Sequence, residues 1–180
     1  MSKRVKYLDP REIDETLAEV AKIARRENVD VAVVGGVAMM VYGSDRLTKD
    51  VDVASVDEYL LGLVEVRSLS FGGAVVRTPR GREFDLIVRE DEYRELYNVA
   101  VDSARDEGLP LRVITPEYLL ATKMAAARDK DLLDVKFLLG SGVVDLKAAR
   151  QIVREHLGEY AARELDAMAA EVEWRKSRKE

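Results

Sequence analysis

The chain has 180 residues, 47% hydrophobic and 35% charged, with no Cys and a single His, His156. Disulfides, thiol nucleophiles and an intrachain Cys/His zinc site are therefore excluded, and chemistry must rest mainly on carboxylates, Lys, Arg, hydroxyls and backbone. The 29 basic against 34 acidic residues give a formal charge of -5, which argues against a globally basic nucleic-acid clamp but leaves a local basic patch open.

The length predicts one domain, or a core with a helical appendage. Met1–Lys6 is charged and no apolar run follows it, so no signal peptide is expected. The longest mostly apolar stretch, Val31 to Tyr42, falls short of the ~20 residues that span a bilayer. The expectation is a cytoplasmic protein without membrane contact.

In chain order, the first element is a helix over Pro10–Glu27. Asp9 is its cap, Pro10 stands at the first helical position, and Glu12 completes a capping box. Ile13, Leu17, Val20, Ala21 and Ala24 recur at helical spacing. Val31–Val34 reads as a buried strand ending in Gly35-Gly36, and Val37–Tyr42 as a short helix stopped by Gly43. Asp50–Val53 alternates as a strand, and Val56–Val66 reads as a helix. Gly73–Thr78 and Glu83–Val88 read as a hairpin across the Pro79-Arg80-Gly81 turn. A helix over Asp91–Glu107 and a short strand over Leu111–Ile114 follow.

From Thr115, a cap followed by Pro116, helical patterns run to Ala127, from Lys130 to Leu139, and from Asp145 to Trp174, with Gly140-Ser141-Gly142 breaking the last two. The expected architecture is α+β: a small mixed sheet flanked by helices in residues 1–114, and a helical portion in 115–180 beyond a soft boundary. His156 reads as a surface residue, Trp174 as packing, and the basic end after it as a solvated tail.

Chemistry concentrates between Gly35 and Asp85. Asp50 and Asp52 stand two apart on the expected strand, so their carboxylates share a face. That face is either plain solvent surface or a site where a cation offsets their repulsion; hard oxygen donors suit Mg²⁺. Asp85 lies within the apolar run Phe84–Val88, where an acid needs a metal or a salt bridge to offset burial. Gly35-Gly36, between a strand and a helix, is either a tight turn or an anion site with free backbone N–H groups. It is neither a Walker loop nor a dinucleotide fingerprint.

Taken together, Gly35-Gly36, the spacer, Asp50-Val51-Asp52 and the later Asp85 resemble the DNA-polymerase-β-like nucleotidyltransferase superfamily. Arg46-Leu47-Thr48-Lys49-Asp50-Val51-Asp52 resembles one branch, which contains AbiEii-like abortive-infection toxins and small bacterial and archaeal relatives. Pro116-Glu117-Tyr118-Leu119-Leu120-Ala121-Thr122-Lys123-Met124-Ala125-Ala126-Ala127-Arg128 and Asp129-Lys130-Asp131-Leu132-Leu133-Asp134 are similar to that branch's downstream helices. The resemblance spans about residues 28 to 140. Gly36 stands where the commonest form has serine, and both forms occur in the superfamily.

The resemblance implies transfer of a nucleoside monophosphate from an NTP, ATP among the candidates, to a hydroxyl with release of pyrophosphate. It implies Mg²⁺ or Mn²⁺ held by Asp50, Asp52 and Asp85, with Asp85 also helping to deprotonate the acceptor. Gly35, Gly36, Arg46, Thr48, Lys49, Lys123 and Asp131 would bind the nucleotide. Lys123 is either a phosphate ligand or a solvated lysine, and Asp131 and Asp134 either join the site or only pair with Arg128 or Lys130. Relatives act on tRNA ends, proteins or antibiotics, and a toxin acting on RNA, paired with a cognate antitoxin, is the favoured role. The alternative is a catalytically inactive module of the same fold that binds a nucleotide or a partner.

Overall fold

In the computed structural model, residues 7–56 and 63–178 are described. The first helix, α1 (Pro10–Glu27), follows the sequence pattern. The Asp9 side chain accepts from the Arg11 N–H, Glu12 answers from the third position, and Asn28 closes the helix in the left-handed region. Its Ile13, Leu17, Val20, Ala21 and Ala24 are buried in the main core.

Five strands follow among the described residues: β1 (Val31–Val34), β2 (Asp52–Ser55), β3 (Val64–Ser68), β4 (Ala74–Arg77) and β5 (Glu83–Ile87). They form one mixed sheet in the order β1-β2-β5-β4-β3. Only β2 and β5 run parallel; the other pairs are antiparallel. The short helix α2 (Gly35–Val41) packs on β1 and β2, and α3 (Arg94–Asp102) packs on β2. Then come α4 (Pro116–Ala126), α5 (Asp129–Ser141) and α6 (Leu146–Lys176), which pack on one another, with α4 also against α2 and α3. The α+β architecture with its helical C-terminal part is as the sequence predicts.

Several boundaries differ for physical reasons. Val64–Val66 is strand, not helix: Val64 and Val66 alternate with Glu65 and Arg67, and β4 supplies an antiparallel partner. The rest of that expected helix, 57–62, lies outside the described residues. The strand read over Asp50–Val53 begins only at Asp52, and Asp50 occupies the bend before it. The helix read over Asp91–Glu107 shortens at both ends. Asp91 accepts from the Tyr93 N–H and so holds a turn, and beyond Ser103 the chain extends so that Arg105 pairs with Val113. Leu111–Ile114 forms no strand of its own. It contributes one parallel bridge to Val33 before Thr115 turns the chain into α4. Even so, the Val33 N–H donates to Arg112 O at 2.8 Å, which covers the outer edge of β1 and leaves all four β1 residues buried.

Thr115 occupies the cap of α4 without a side-chain cap bond. α5 runs through Gly140 and Ser141 and ends on Gly142, whose φ is 80°. The expected single helix up to Trp174 is broken at Gly158, with φ 89° and ψ 172°. Arg150 and Asp166, 16 residues apart, nevertheless meet at 2.9 Å. A straight helix would separate them by about 24 Å, so α6 doubles back at Gly158, the residue that adopts this backbone without steric cost. His156 is half-buried with its ring beside Tyr118, and Trp174 is exposed rather than packed, with the Arg178 guanidinium 4.5 Å above it.

Candidate active site

The junction of β1 and α2 sets the floor of the site. Gly35 has φ 62°, and a Cβ there would lie 2.1 Å from Asp52 Oδ2; a Cβ on Gly36 would lie 2.4 Å from Thr48 Oγ1. Gly35 therefore requires glycine by both backbone and contact, while a side chain at Gly36 would require Thr48 to move. The Gly36 N–H donates to Asp52 Oδ2 at 3.3 Å. Thr48 Oγ1 donates to Asp50 O at 2.9 Å, fixing the bend that carries Asp50.

Asp52 and Asp85 are register partners on the parallel strands β2 and β5. In-register neighbours ~4.8 Å apart point to the same face, so two carboxylates stand side by side. Burial first, and then the charge of Asp85, push the Asp52 carboxyl up to about 6, against the Gly36 hydrogen bond and the charge of Lys123. Burial and then Asp50 raise that of Asp85, against Arg67. The sequence reading missed this route to the pair: Asp85 reaches Asp52 through strand pairing, not through sequence spacing.

A cleft of about 560 Å³ opens above this floor, and Gly35, Gly36, Arg46, Thr48, Lys49, Asp50, Asp52, Asp85, Lys123 and Asp131 all line it. The ten positions expected to hold a metal or the nucleotide thus face one cavity, while Asp134, named beside Asp131, does not line it. Lys49 lies over the Tyr7 ring at 5.8 Å. Arg89, Tyr97 and Phe71 also line the cleft and were not singled out, and so does Arg128, which was named only within the downstream motif and as a partner for Asp131 or Asp134. For Arg89 a signal existed, since it stands four residues after Asp85 with the strand period. Its guanidinium pairs with Asp91 and lies 5.4 Å from the Tyr97 ring centre. Burial, foremost, pushes the Tyr97 hydroxyl up to about 12, so it stays protonated and can donate.

The wall built by α4 and α5 differs from the floor. Lys123 Nζ lies 2.7 Å from Asp134 Oδ2 and 3.3 Å from Asp131 Oδ1. Arg46 Nη2 reaches Asp134 at 3.1 Å, and Arg128 Nε reaches Asp131 at 2.5 Å. Burial acts against ionisation of Asp131, but the Arg128 hydrogen bond and the Lys123 charge overcome it and hold the carboxyl below its ordinary range.

Among the described residues, no group of three or more His, Asp or Glu side chains is gathered as a metal cage. The donor set nevertheless fits a hard divalent cation. Asp52 and Asp85 are adjacent, half-buried carboxylates to which no cation among the described residues is bonded, and Mg²⁺ takes one or two carboxylates together with substrate phosphates.

These features, a mixed sheet with paired acids beside a glycine junction, define a nucleotidyltransferase. The chain belongs to the family described as nucleotidyltransferase of unknown function (DUF6036), whose model matches residues 11–180. No curated protein matches it. The fold is similar to that of an antigenic nucleotidyltransferase-like protein from Paracoccidioides brasiliensis, with TM-score 0.51 and 20% identity over 90% of this chain and 95% of that one. It is also similar to the antibiotic-resistance factor ANT(2'')-Ia, with TM-score 0.50 and 16% identity over 84% and 97%. A candidate nucleotidyltransferase from H. pylori gives TM-score 0.50 and 16% identity over 96% and 99%. The chain is thus an enzyme of nucleotidyl transfer, with an NTP as its substrate. Among the described residues, no helix is long and apolar enough to cross a membrane.

Proposed function

We propose that the cleft transfers a nucleoside monophosphate from an NTP, ATP among them, to a hydroxyl of RNA, and that the enzyme is an AbiEii-like toxin acting in the cytoplasm. The observation that carries the chemistry is the Asp52–Asp85 pair on the floor of a cleft edged by Gly35-Gly36. In this reading residues 1–114 are the catalytic core and 115–180 supply the cationic wall. Asp52 and Asp85, with Asp50 from the bend, would hold Mg²⁺ or Mn²⁺. When bound, such a cation neutralises phosphate charge and stabilises the attacking and leaving oxygens.

The acceptor oxygen attacks the α-phosphorus, a new P–O bond forms, the bond to the β-phosphate bridging oxygen breaks, and pyrophosphate leaves. Asp85, whose carboxyl is already biased toward binding a proton, accepts the acceptor's proton. Arg46 and Lys49 offset triphosphate charge at the cleft rim. Gly35, Gly36 and Thr48 shape the phosphate end, and the Gly36 N–H becomes available to phosphate once the Asp52 carboxylate turns to other partners. Lys123 and Asp131 contribute from the wall.

The RNA acceptor rests on the basic side chains of the cleft together with the branch resemblance. The test is incubation with α-labelled ATP, GTP, CTP and UTP, Mg²⁺ or Mn²⁺, and pools of tRNA, other RNA, protein and small hydroxyl acceptors. Label on RNA that disappears in Asp52→Asn is the expected result. Label on another pool overturns the RNA assignment. NTP–Mg²⁺ binding without any transfer favours the inactive-module reading. Growth arrest on expression, abolished by Asp50→Ala and relieved by a neighbouring antitoxin, checks the toxin role.

A further inference from the structure

The wall of the cleft assigns its cations unequally. Lys123 is almost fully enclosed, with 8% of its side chain exposed, and its ammonium already bonds to Asp131 and Asp134, themselves 0% and 6% exposed. An ammonium has three donors; this one is bonded to both carboxylates, and drawing it toward a ligand would weaken two buried ion pairs at once, leaving each acid with only its half-exposed arginine, which is unfavourable. The arginines on the outer sides of the same carboxylates are in the opposite position. Arg46 and Arg128 have 41% and 54% of their side chains exposed. Arg128 spends Nε and Nη2 on Asp131, and Arg46 spends Nη2 on Asp134. A guanidinium carries five donors in a fixed fork, so each keeps N–H groups for a ligand.

The backbone accounts for where Arg128 points. Ala127 closes α4 with φ 50°, a conformation rare for a residue with a side chain. The chain then re-enters a helix at Asp129 with Arg128 as its cap residue. This reversal brings Arg128 back over Asp131 and toward the floor. Arg46, Lys123 and Arg128 line the same cleft as Asp52 and Asp85, so the wall and the carboxylate pair face a common space. Three cations against two carboxylates leave the wall positive.

We infer that Arg46 and Arg128 are the residues the cleft presents to the anionic groups of its nucleotide, and that Lys123, clamped between Asp131 and Asp134, is the positioning residue that holds both guanidiniums in place. The inference rests on the nucleotidyl-transfer reading and adds to it a nucleotide-binding role for Arg128, to which the sequence pattern gave no role beyond pairing with acids, and a different part for Lys123. The anion is the polyphosphate of an NTP. Its negative oxygens match the planar donor fork of arginine better than a point-charge ammonium does.

The test is calorimetric binding of the α,β-methylene analogues of ATP, GTP, CTP and UTP with Mg²⁺, alongside thermal unfolding of the same samples. Arg128→Gln and Arg46→Gln are each expected to weaken binding roughly tenfold or more with little change in Tm. Lys123→Met is expected to lower Tm by about 10 °C, as removal of one member of a buried ionic cluster does. The triple variant Lys123→Met/Asp131→Asn/Asp134→Asn removes the whole cluster at similar volume. It should regain most of the Tm but not the affinity, because the guanidiniums then lack their anchors. Lys123→Met with unchanged Tm and lost affinity would make Lys123 the direct ligand and overturn the inference. So would wild-type affinity in Arg128→Gln, or restored affinity in the triple variant. If the wild type bound none of the four analogues, the nucleotidyl-transfer reading itself would fall, an outcome distinct from wild-type binding that ignores Arg128.

Discussion

The floor and the wall of one cleft treat the same side chain in opposite ways. On the floor, Asp52 and Asp85 stand beside each other on parallel strands, and burial first, then a neighbouring acid (Asp85 for Asp52, Asp50 for Asp85), raises each. On the wall, Asp131 and Asp134 are more deeply buried, yet each is bonded to Lys123 and to one arginine, and Asp131 stays below its ordinary range. Burial alone therefore does not decide the fate of an acid here; the partner does. The wall completes its own ionic contacts within the fold. The floor leaves its carboxylates in need of positive charge, which is the condition of a site that takes its counter-ion with its substrate.

The sharpest way to break this contrast is Asp52→Asn. Nucleotidyl transfer in single-turnover assays is expected to fall by on the order of 10³-fold, the loss seen when one preorganised electrostatic stabiliser is removed. Next in size is the wall. Lys123→Met is expected to cost about 3–5 kcal/mol in urea unfolding, because two buried carboxylates lose their shared cation.

The floor predicts the reverse sign. With chelator present, Asp52→Asn is expected to stabilise the protein near neutral pH, by up to about 3 kcal/mol for a carboxyl raised from 3.8 to about 6, less where solvent reaches the cleft. The pH dependence follows from linkage. The folded state binds the Asp52 proton more tightly than the unfolded state, so this group's contribution is most favourable below about pH 4 and declines as pH rises to about 6. Asp131 contributes oppositely, its stabilisation being present above the ordinary carboxylate range and lost as pH falls through its lowered folded value. A urea titration from pH 3.5 to 7.5 should show the Asp52 decline in wild type and its absence in Asp52→Asn. The smallest effect belongs to a residue in neither region. Asp9→Ala removes the α1 cap and should cost about 1 kcal/mol, with transfer activity unaffected.

Much of this was legible from the sequence where one local force dominates. The α1 boundaries follow from Asp9, Pro10, Glu12 and a regular apolar face, and β1 from a β-branched run too short and too apolar for anything but a buried strand. All of the candidate residues from Gly35 to Asp131 line one cleft, because the pattern of glycines and acids carried through the fold intact. The misreadings fall where two forces compete. Val64–Val66 became an edge strand because β4 offered it a hydrogen-bonded partner. Leu111–Ile114 was reduced to isolated bridges at one residue, Val113, which is held by Val33 on one side and by Arg105 on the other. Arg128 was quoted in the downstream motif but given no place in the cleft, because its position depends on the backbone of Ala127, an unremarkable residue in the sequence.

The absence of Cys and the lone His already limited this protein to carboxylate, ammonium, guanidinium, hydroxyl and backbone chemistry, since the number of each functional group is fixed by composition alone. Which carboxylate would be left wanting a cation, and which would be given one, was decided only by the tertiary structure. That choice depends on which strands run side by side and which helices close over them. Charges act through distances of a few ångströms, and such distances between residues far apart in the chain exist only once it has folded.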